Sequence, residues 1–163
     1  MERPPLTKRF IADSMLGRLA RWLRIIGYDT TYYNDIRDDT LIEKSLIEGR
    51  RLITRDTLLI RRRFISDYTF IRDDNPMDQL SQIVTDLNLN IGENLLTRCL
   101  ECNTSLISTC REKIMGTVPE YIYSTIKEFF LCPSCNRVYW RGSHINRIRE
   151  RLMQLFPERW EKL

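Results

Sequence analysis

Two groups of residues in this sequence have the types and spacing to do chemistry. The first is sulfur: Cys99-Leu100-Glu101-Cys102 is matched by Cys132-Pro133-Ser134-Cys135. Each C-x-x-C turn delivers two thiolates to one point, and two turns supply the tetrahedral four-cysteine shell of a Zn²⁺ ion with Zn–S distances of about 2.3 Å. A closed shell of this kind leaves no open coordination position, so its metal stabilises the fold and performs no chemistry. The 29 residues between Cys102 and Cys132 exceed the roughly 15–20 of common fingers, which suits a ribbon with an insert. The competing readings are a redox dithiol, which belongs in a βαβ context that these knuckles lack, and a pair of disulfides, which a reducing compartment disfavours. Cys110 is left over and is expected to be a buried or partly buried free thiol.

The second group is carboxylate: Asp13, Asp38 and Asp56. Three carboxylates gathered in one crevice repel one another unless a cation neutralises them. Hard oxygen ligands with room for water suit Mg²⁺ or Mn²⁺. Each acid also has a plainer use as a helix N-cap, Asp13 for a helix beginning at Ser14, Asp38 or Asp39 for one at Thr40, and Asp56 for one at Thr57. Asp73 and Asp74, in an Asp-Asp-Asn-Pro context, read as a turn and helix start.

The elements that would have to position these acids alternate between strand and helix. Arg9 to Ala12 is a short strand, followed by a helical period in which Met15, Leu16, Leu19, Ala20, Leu23 and Ile26 share one face, with Gly27 as the stop. Tyr28 to Tyr33 is a second strand, and Thr40 with Glu43 three residues later forms a capping box for a helix that ends at Gly49. Arg51 to Thr54 is a third strand, Thr57 to Arg63 a short helix, Tyr68 to Ile71 a fourth strand, and the residues after Pro76 a helix carrying Leu80, Ile83, Val84 and Leu87. This alternation predicts an α/β fold with a doubly wound parallel sheet. Ligands of such sheets bind beyond the carboxyl ends of the strands, where the three acids converge.

At 163 residues the chain has room for one main domain, expected over 1–92, and one satellite over 93–163. In the satellite, Ser105 to Cys110 and Phe129 to Leu131 read as strands. After the second knuckle, Arg137-Val138-Tyr139-Trp140-Arg141-Gly142-Ser143-His144 and then Arg147, Arg149 and Arg151 interleave cations with aromatic rings. That is a pattern used to bind single-stranded nucleic acid; the alternative is that Tyr139 and Trp140 fill the ribbon's small core and the arginines form a solvated helix face. Of 26 basic residues, 21 are Arg, whose planar fork suits phosphate. No apolar run approaches the ~20 residues needed to span a bilayer, and Met1-Glu2-Arg3-Pro4-Pro5 lacks the apolar stretch of a secretory signal. A cytoplasmic protein with no membrane partner is expected.

Taken together, Phe10-Ile11-Ala12-Asp13, Met15 to Arg24, Gly27-Tyr28-Asp29, Asp38-Asp39-Thr40-Leu41, Leu52-Ile53-Thr54-Arg55-Asp56, Arg98-Cys99-Leu100-Glu101-Cys102-Asn103, Val118-Pro119, Cys132-Pro133-Ser134-Cys135 and Tyr139 to His144 resemble one family over nearly the whole chain. It is the PIN-domain ribonuclease family with a C-terminal zinc ribbon, named for the C-terminal RNase domain of the exonuclease Mut-seven. The resemblance implies a PIN-like fold and a Mg²⁺- or Mn²⁺-dependent ribonuclease whose acids match Asp13, Asp38 and Asp56. A PIN site often has a fourth acid after the fourth strand, near where Asp73 and Asp74 stand. Arg18, Arg21, Arg55 and Arg61 to Arg63 flank the crevice and could track the phosphate backbone, with Arg141, His144, Arg147, Arg149 and Arg151 as further contacts. RNA is the expected partner, free or as tRNA or ribosome. A phospho-receiver domain, which also has an acid where Asp56 stands, lacks its paired acids after the first strand here. The stronger alternative is a non-catalytic RNA- or ribosome-binding protein that keeps both folds.

Overall fold

The computed structural model describes residues 8–160; Met1 to Pro5, on which the expectation about a secretory signal rests, lies outside them. The chain divides into two compact units, the first ending at Leu96 and the second beginning at Thr97. No described helix is long and apolar enough to cross a membrane.

In the first unit the elements are β1 (Phe10–Ala12), α1 (Gly17–Ile25), β2 (Thr30–Tyr32), α2 (Asp38–Glu48), β3 (Arg51–Thr54), β4 (Tyr68–Phe70) and α3 (Pro76–Asp86). The four strands form a parallel sheet in the order β2-β1-β3-β4, flanked by the helices. The chain therefore steps from β1 to one side and then returns to the other, so the winding reverses between β1 and β3. Right-handed crossovers put α1 and α2 on opposite faces of such a sheet. The packing agrees: Ile11 and its register partner Leu52 share a buried cluster with Leu41 of α2 and with Leu59. α1 packs against α3, and Leu19, Ala20, Leu23, Leu80, Ile83 and Val84 of these helices are all buried.

The amino ends of the strands are closed by charge pairing. Arg50, just before β3, is buried and donates to Asp29 (2.6 Å) and Glu48 (2.6 Å). Burial alone would lower its pKa, but the two carboxylates outweigh that and raise it. Gly27 ends α1 at φ 94°, and a Cβ there would lie 2.2 Å from the Asn94 carbonyl oxygen; no other residue fits that close approach.

Several local expectations are corrected. Met15 lies off the buried face and is 64% exposed, because Ser14–Leu16 is a 3-10 turn whose tighter period puts Met15 outward while Leu16 stays buried. α2 begins at Asp38, with Arg37 as an extended N-cap whose side chain makes no cap bond. Thr40 therefore lies inside the helix, and Asp38 and Asp39 occupy its first turn, where the helix dipole favours acids. In place of a helix over Thr57 to Arg63 there is one 3-10 turn, Leu59–Arg61. Only Leu59 is buried in that turn, and three consecutive Arg residues give a longer helix no apolar face to pack.

The second unit contains β5 (Ile107–Thr109), α4 (Glu120–Thr125), β6 (Phe129–Leu131), β7 (Val138–Trp140), α5 (Ser143–Leu155) and α6 (Pro157–Trp160). β5, β6 and β7 form an antiparallel sheet in that order. The third strand uses Val138 to Trp140, all half-buried. The first strand is shorter than Ser105 to Cys110: Ser105 makes only an isolated bridge to Arg98. Cys110 is exposed, contrary to expectation, because it follows β5 as an extended residue before a 3-10 turn and the small ribbon core does not reach it.

Candidate functional site

The two knuckles are built alike. In each, the first cysteine's N–H donates to a carbonyl five residues on, Cys99 to Thr104 (2.8 Å) and Cys132 to Arg137 (2.9 Å). Its own carbonyl accepts the N–H of the Asn that follows the second cysteine, Asn103 (3.0 Å) and Asn136 (2.9 Å). Both asparagines are left-handed, at φ 68° and 58°, a conformation Asn tolerates better than most residues. The turns bring the four sulfurs within 4.8 Å of one another, with Cys99 to Cys135 at 3.6 Å and Cys102 to Cys132 at 3.2 Å. A tetrahedron of 2.3 Å bonds needs sulfurs about 3.8 Å apart. The cluster is therefore positioned to bind a metal ion and could form a zinc site.

Tyr139, on β7, donates or accepts at Cys99 Sγ (3.1 Å) and accepts the Leu100 N–H (3.1 Å). The third strand thus braces the first knuckle. Burial pushes the Tyr139 hydroxyl pKa up, and the sulfur contact adds to it. At Cys102, burial works upward, but hydrogen bonds from Thr104 and the neighbouring thiols outweigh it and bring the thiol down to about 6. Cys135 is steadied as a thiolate by the Arg137 backbone, yet burial and the neighbouring sulfurs prevail and push it up to about 12. Crowded thiols without a cation keep one proton tightly, and a metal would expel it.

In the first unit, Asp13 directly follows β1 and Asp56 lies two residues beyond β3, so both sit at the carboxyl ends of the strands between which the winding reverses. Thr54, fully buried at the end of β3, ties them together. Its hydroxyl donates to Asp13 Oδ2 (2.7 Å) and accepts the Asp56 N–H (2.9 Å). Ser14 donates to Asp13 Oδ1 (3.2 Å). Asp13 is only 8% exposed and makes no cap bond. Among the described residues, no basic side chain pairs with it. Asp56 does behave as a turn acceptor: its Oδ1 takes the N–H groups of Leu58 (2.7 Å) and Leu59 (3.2 Å).

Asp38, in the first turn of α2, is held by Arg62 Nη2 (3.2 Å), and the same guanidinium donates to Asp39. Among the described residues, the four cysteines form a closely drawn group of three or more potential metal ligands, whereas Asp13, Asp38 and Asp56, expected to converge, do not form one. Asp74 pairs with Arg55, and Asp73 gives its carbonyl to Gln79 (2.9 Å). Sequence reasoning alone does not single out Thr54, and it gives Arg62 a place on the phosphate backbone and none on the acids. The available signal for Thr54 is its position at a strand end, two residues before an acid.

The arginines are spread over both units. Arg18 and Arg21 are exposed on α1. Arg55 is largely enclosed beside Asp74, and its Nε is buried with no hydrogen-bond partner. In the second unit Arg141 lies over the Phe130 ring (5.8 Å) and 3.9 Å from Glu128. His144 is exposed, edge-on to Trp140. Arg147, Arg149 and Arg151 lie along α5, where Arg147 and Arg151 stand one turn apart.

A family model described as the Mut7-C RNAse domain matches residues 8–152. No curated protein and no solved structure matches the chain.

Proposed function

The chain belongs to the Mut7-C RNAse domain family, and on that premise we propose that it is a ribonuclease cleaving RNA phosphodiester bonds with a divalent metal held by Asp13, Asp38 and Asp56. The observation that carries this reading is Asp13: a buried carboxylate at the reversal point of a parallel sheet, tied through Thr54 to Asp56 and, among the described residues, facing no cation of the protein's own. Burying a carboxylate that has hydrogen bonds but no counter-charge is costly, and a cation supplied from solution reduces that cost. The donor set is all oxygen, which fits Mg²⁺ or Mn²⁺ and not a softer ion. Bound there, such an ion would supply positive charge that activates water and stabilises the phosphorane.

The chain's own residues then divide the work. Thr54 and Ser14 orient the two oxygens of Asp13, Asp56 is held by its turn, and Asp38 enters from α2. Arg18 and Arg21 offer phosphate contacts beside the sheet, while Arg141, His144, Arg147, Arg149 and Arg151 offer them on the second unit. Zn²⁺ in the Cys99, Cys102, Cys132 and Cys135 cluster serves the fold of that unit. A second reading, RNA binding without cleavage, is favoured by one observation, the Arg62 guanidinium seated on Asp38. RNA, as free strand, tRNA or ribosome, is the partner in both, and the cytoplasm is the compartment proposed.

The test uses labelled single-stranded RNA with Mn²⁺ or with EDTA, zinc content being checked in each arm. Cleavage should require Mn²⁺ and vanish in Asp13→Asn, Asp38→Asn and Asp56→Asn, with losses that do not add because the residues act as a unit. Cleavage that persists in EDTA or survives Asp13→Asn refutes the assignment. Binding with no cleavage on varied RNAs selects the second reading.

A further inference from the structure

The segment that leaves β3 is fastened at both ends. At its start Asp56 takes the Leu58 and Leu59 N–H groups. In its middle Leu59 is buried against Ile11, Leu41 and Leu52, which seats the loop against α2 and β1. At its end Arg62 reaches back to the first turn of α2, placing its guanidinium on Asp38 Oδ2 (3.2 Å) and on Asp39. Among the described residues, Asp13 has no such counter-charge. The loop that holds Asp56 therefore also delivers a cation to Asp38.

Resting on the metal-site reading above, we propose that Arg62 is a built-in competitor of the divalent cation: a latch on Asp38 and Asp39 that the ion must displace before Asp38 can serve as a ligand. Two features suit Arg62 to this role. Its fork spans both carboxylates at once, which a point charge would not. Its contacts are partly exposed, with side-chain exposures of 43% for Arg62 and 48% for Asp38, so solvent screens them and the latch can open. A guanidinium also binds phosphate with the geometry it uses for carboxylate, so once displaced it has a place to go on an RNA backbone.

The experiment titrates Mn²⁺ into the zinc-loaded full chain, with free Mn²⁺ followed by electron paramagnetic resonance. Arg62→Gln should bind Mn²⁺ roughly three- to six-fold more tightly than wild type, the range set by two partly exposed ion pairs. Arg61→Gln and Arg63→Gln remove the same charge from exposed neighbours and should change affinity by less than about two-fold, because charge at that distance is screened. Arg62→Lys, which keeps the charge and loses the fork, should fall between wild type and Arg62→Gln. The gain in Arg62→Gln should shrink as KCl is raised. Unchanged or weaker binding in Arg62→Gln, with wild-type binding still lost in Asp13→Asn, overturns the latch and leaves the rim as a metal site. Equal tightening in Arg61→Gln overturns the latch in favour of through-space charge. Absence of Mn²⁺ binding in both wild type and Arg62→Gln overturns the latch and the metal site together.

Discussion

Replacing Thr54 by Val is the most demanding local test of how the acids are held. The side chain is fully buried, and Val matches its shape while lacking the hydroxyl. Two interactions go: the bond donated to Asp13 Oδ2 (2.7 Å) and the acceptor for the Asp56 N–H (2.9 Å). A hydrogen bond to a charged group contributes about 1.5–3 kcal/mol, and an unsatisfied N–H costs about 1–3 kcal/mol. Because Asp56 is partly exposed and water can reach its amide, the lower halves apply, and the expected loss is about 3 kcal/mol. For a unit of this size that lowers Tm by about 12–24 °C. Thr54→Ser keeps both bonds and gives up one methyl, about 1 kcal/mol. Urea unfolding of the full zinc-loaded chain measures both variants, and the large gap between Val and Ser is the signature. Metal adds a second readout. Mn²⁺ at about ten times its Kd should stabilise wild type and Thr54→Ser by about 1.4 kcal/mol, while Thr54→Val, with Asp13 no longer aimed, should gain little. Val within about 1 kcal/mol of wild type, or Ser as damaging as Val, would show that the Thr54 hydroxyl does not hold the two acids.

The cysteine cluster should hold one zinc per chain by elemental analysis, and chelation should unfold the second unit by circular dichroism while the parallel sheet persists. Its affinity should depend on pH with a definite sign. Cys135, pushed up to about 12, is protonated at neutrality and must release its proton to the solvent when metal binds, so affinity rises about ten-fold per pH unit above 7 from this group alone. Cys102, at about 6, has already ionised there and adds a second proton to the slope only below about pH 6; calorimetry in buffers of different ionisation heat counts both. Replacing Arg147, Arg149 and Arg151 together should weaken RNA binding at low salt and flatten its dependence on salt, by about 0.7 in slope for each phosphate no longer neutralised. Unchanged filter-binding curves would make those arginines a solvated helix face.

The parts of this architecture that rest on local chemistry are legible in the sequence. Arg51 to Thr54 is a strand over the expected range, Gly49 ends α2 in the left-handed conformation at φ 60°, and the spacing of the cysteines announces their cluster. What escapes depends on partners far apart in the chain. Thr54 meets Asp13 across 41 residues and Arg62 meets Asp38 across 24; nothing in Thr-Arg-Asp or Arg-Arg-Arg states such a partner. A capping role holds in kind for Asp56, whose carboxylate accepts turn N–H groups. It fails for Asp13, because the adjoining strand offers a buried hydroxyl that competes for the same oxygens. Likewise the aromatic residues of β7 have the composition of a stacking surface, whereas Tyr139 is spent on Cys99 and Leu100. The exposure of Met15 and Cys110 is set by a 3-10 turn and a thin ribbon core, and neither is visible in hydrophobic periodicity.

Everything proposed for the first unit depends on a divalent cation at the reversal point of the sheet. Anomalous diffraction from crystals of the zinc-loaded protein soaked in Mn²⁺ tests it directly. The expected result is a manganese peak within coordination distance of Asp13 and Asp56, with Arg62 withdrawn from Asp38, and no peak in Asp13→Asn crystals soaked alike; a rim with no manganese at saturating concentration, or a peak that remains in Asp13→Asn, rules the site out.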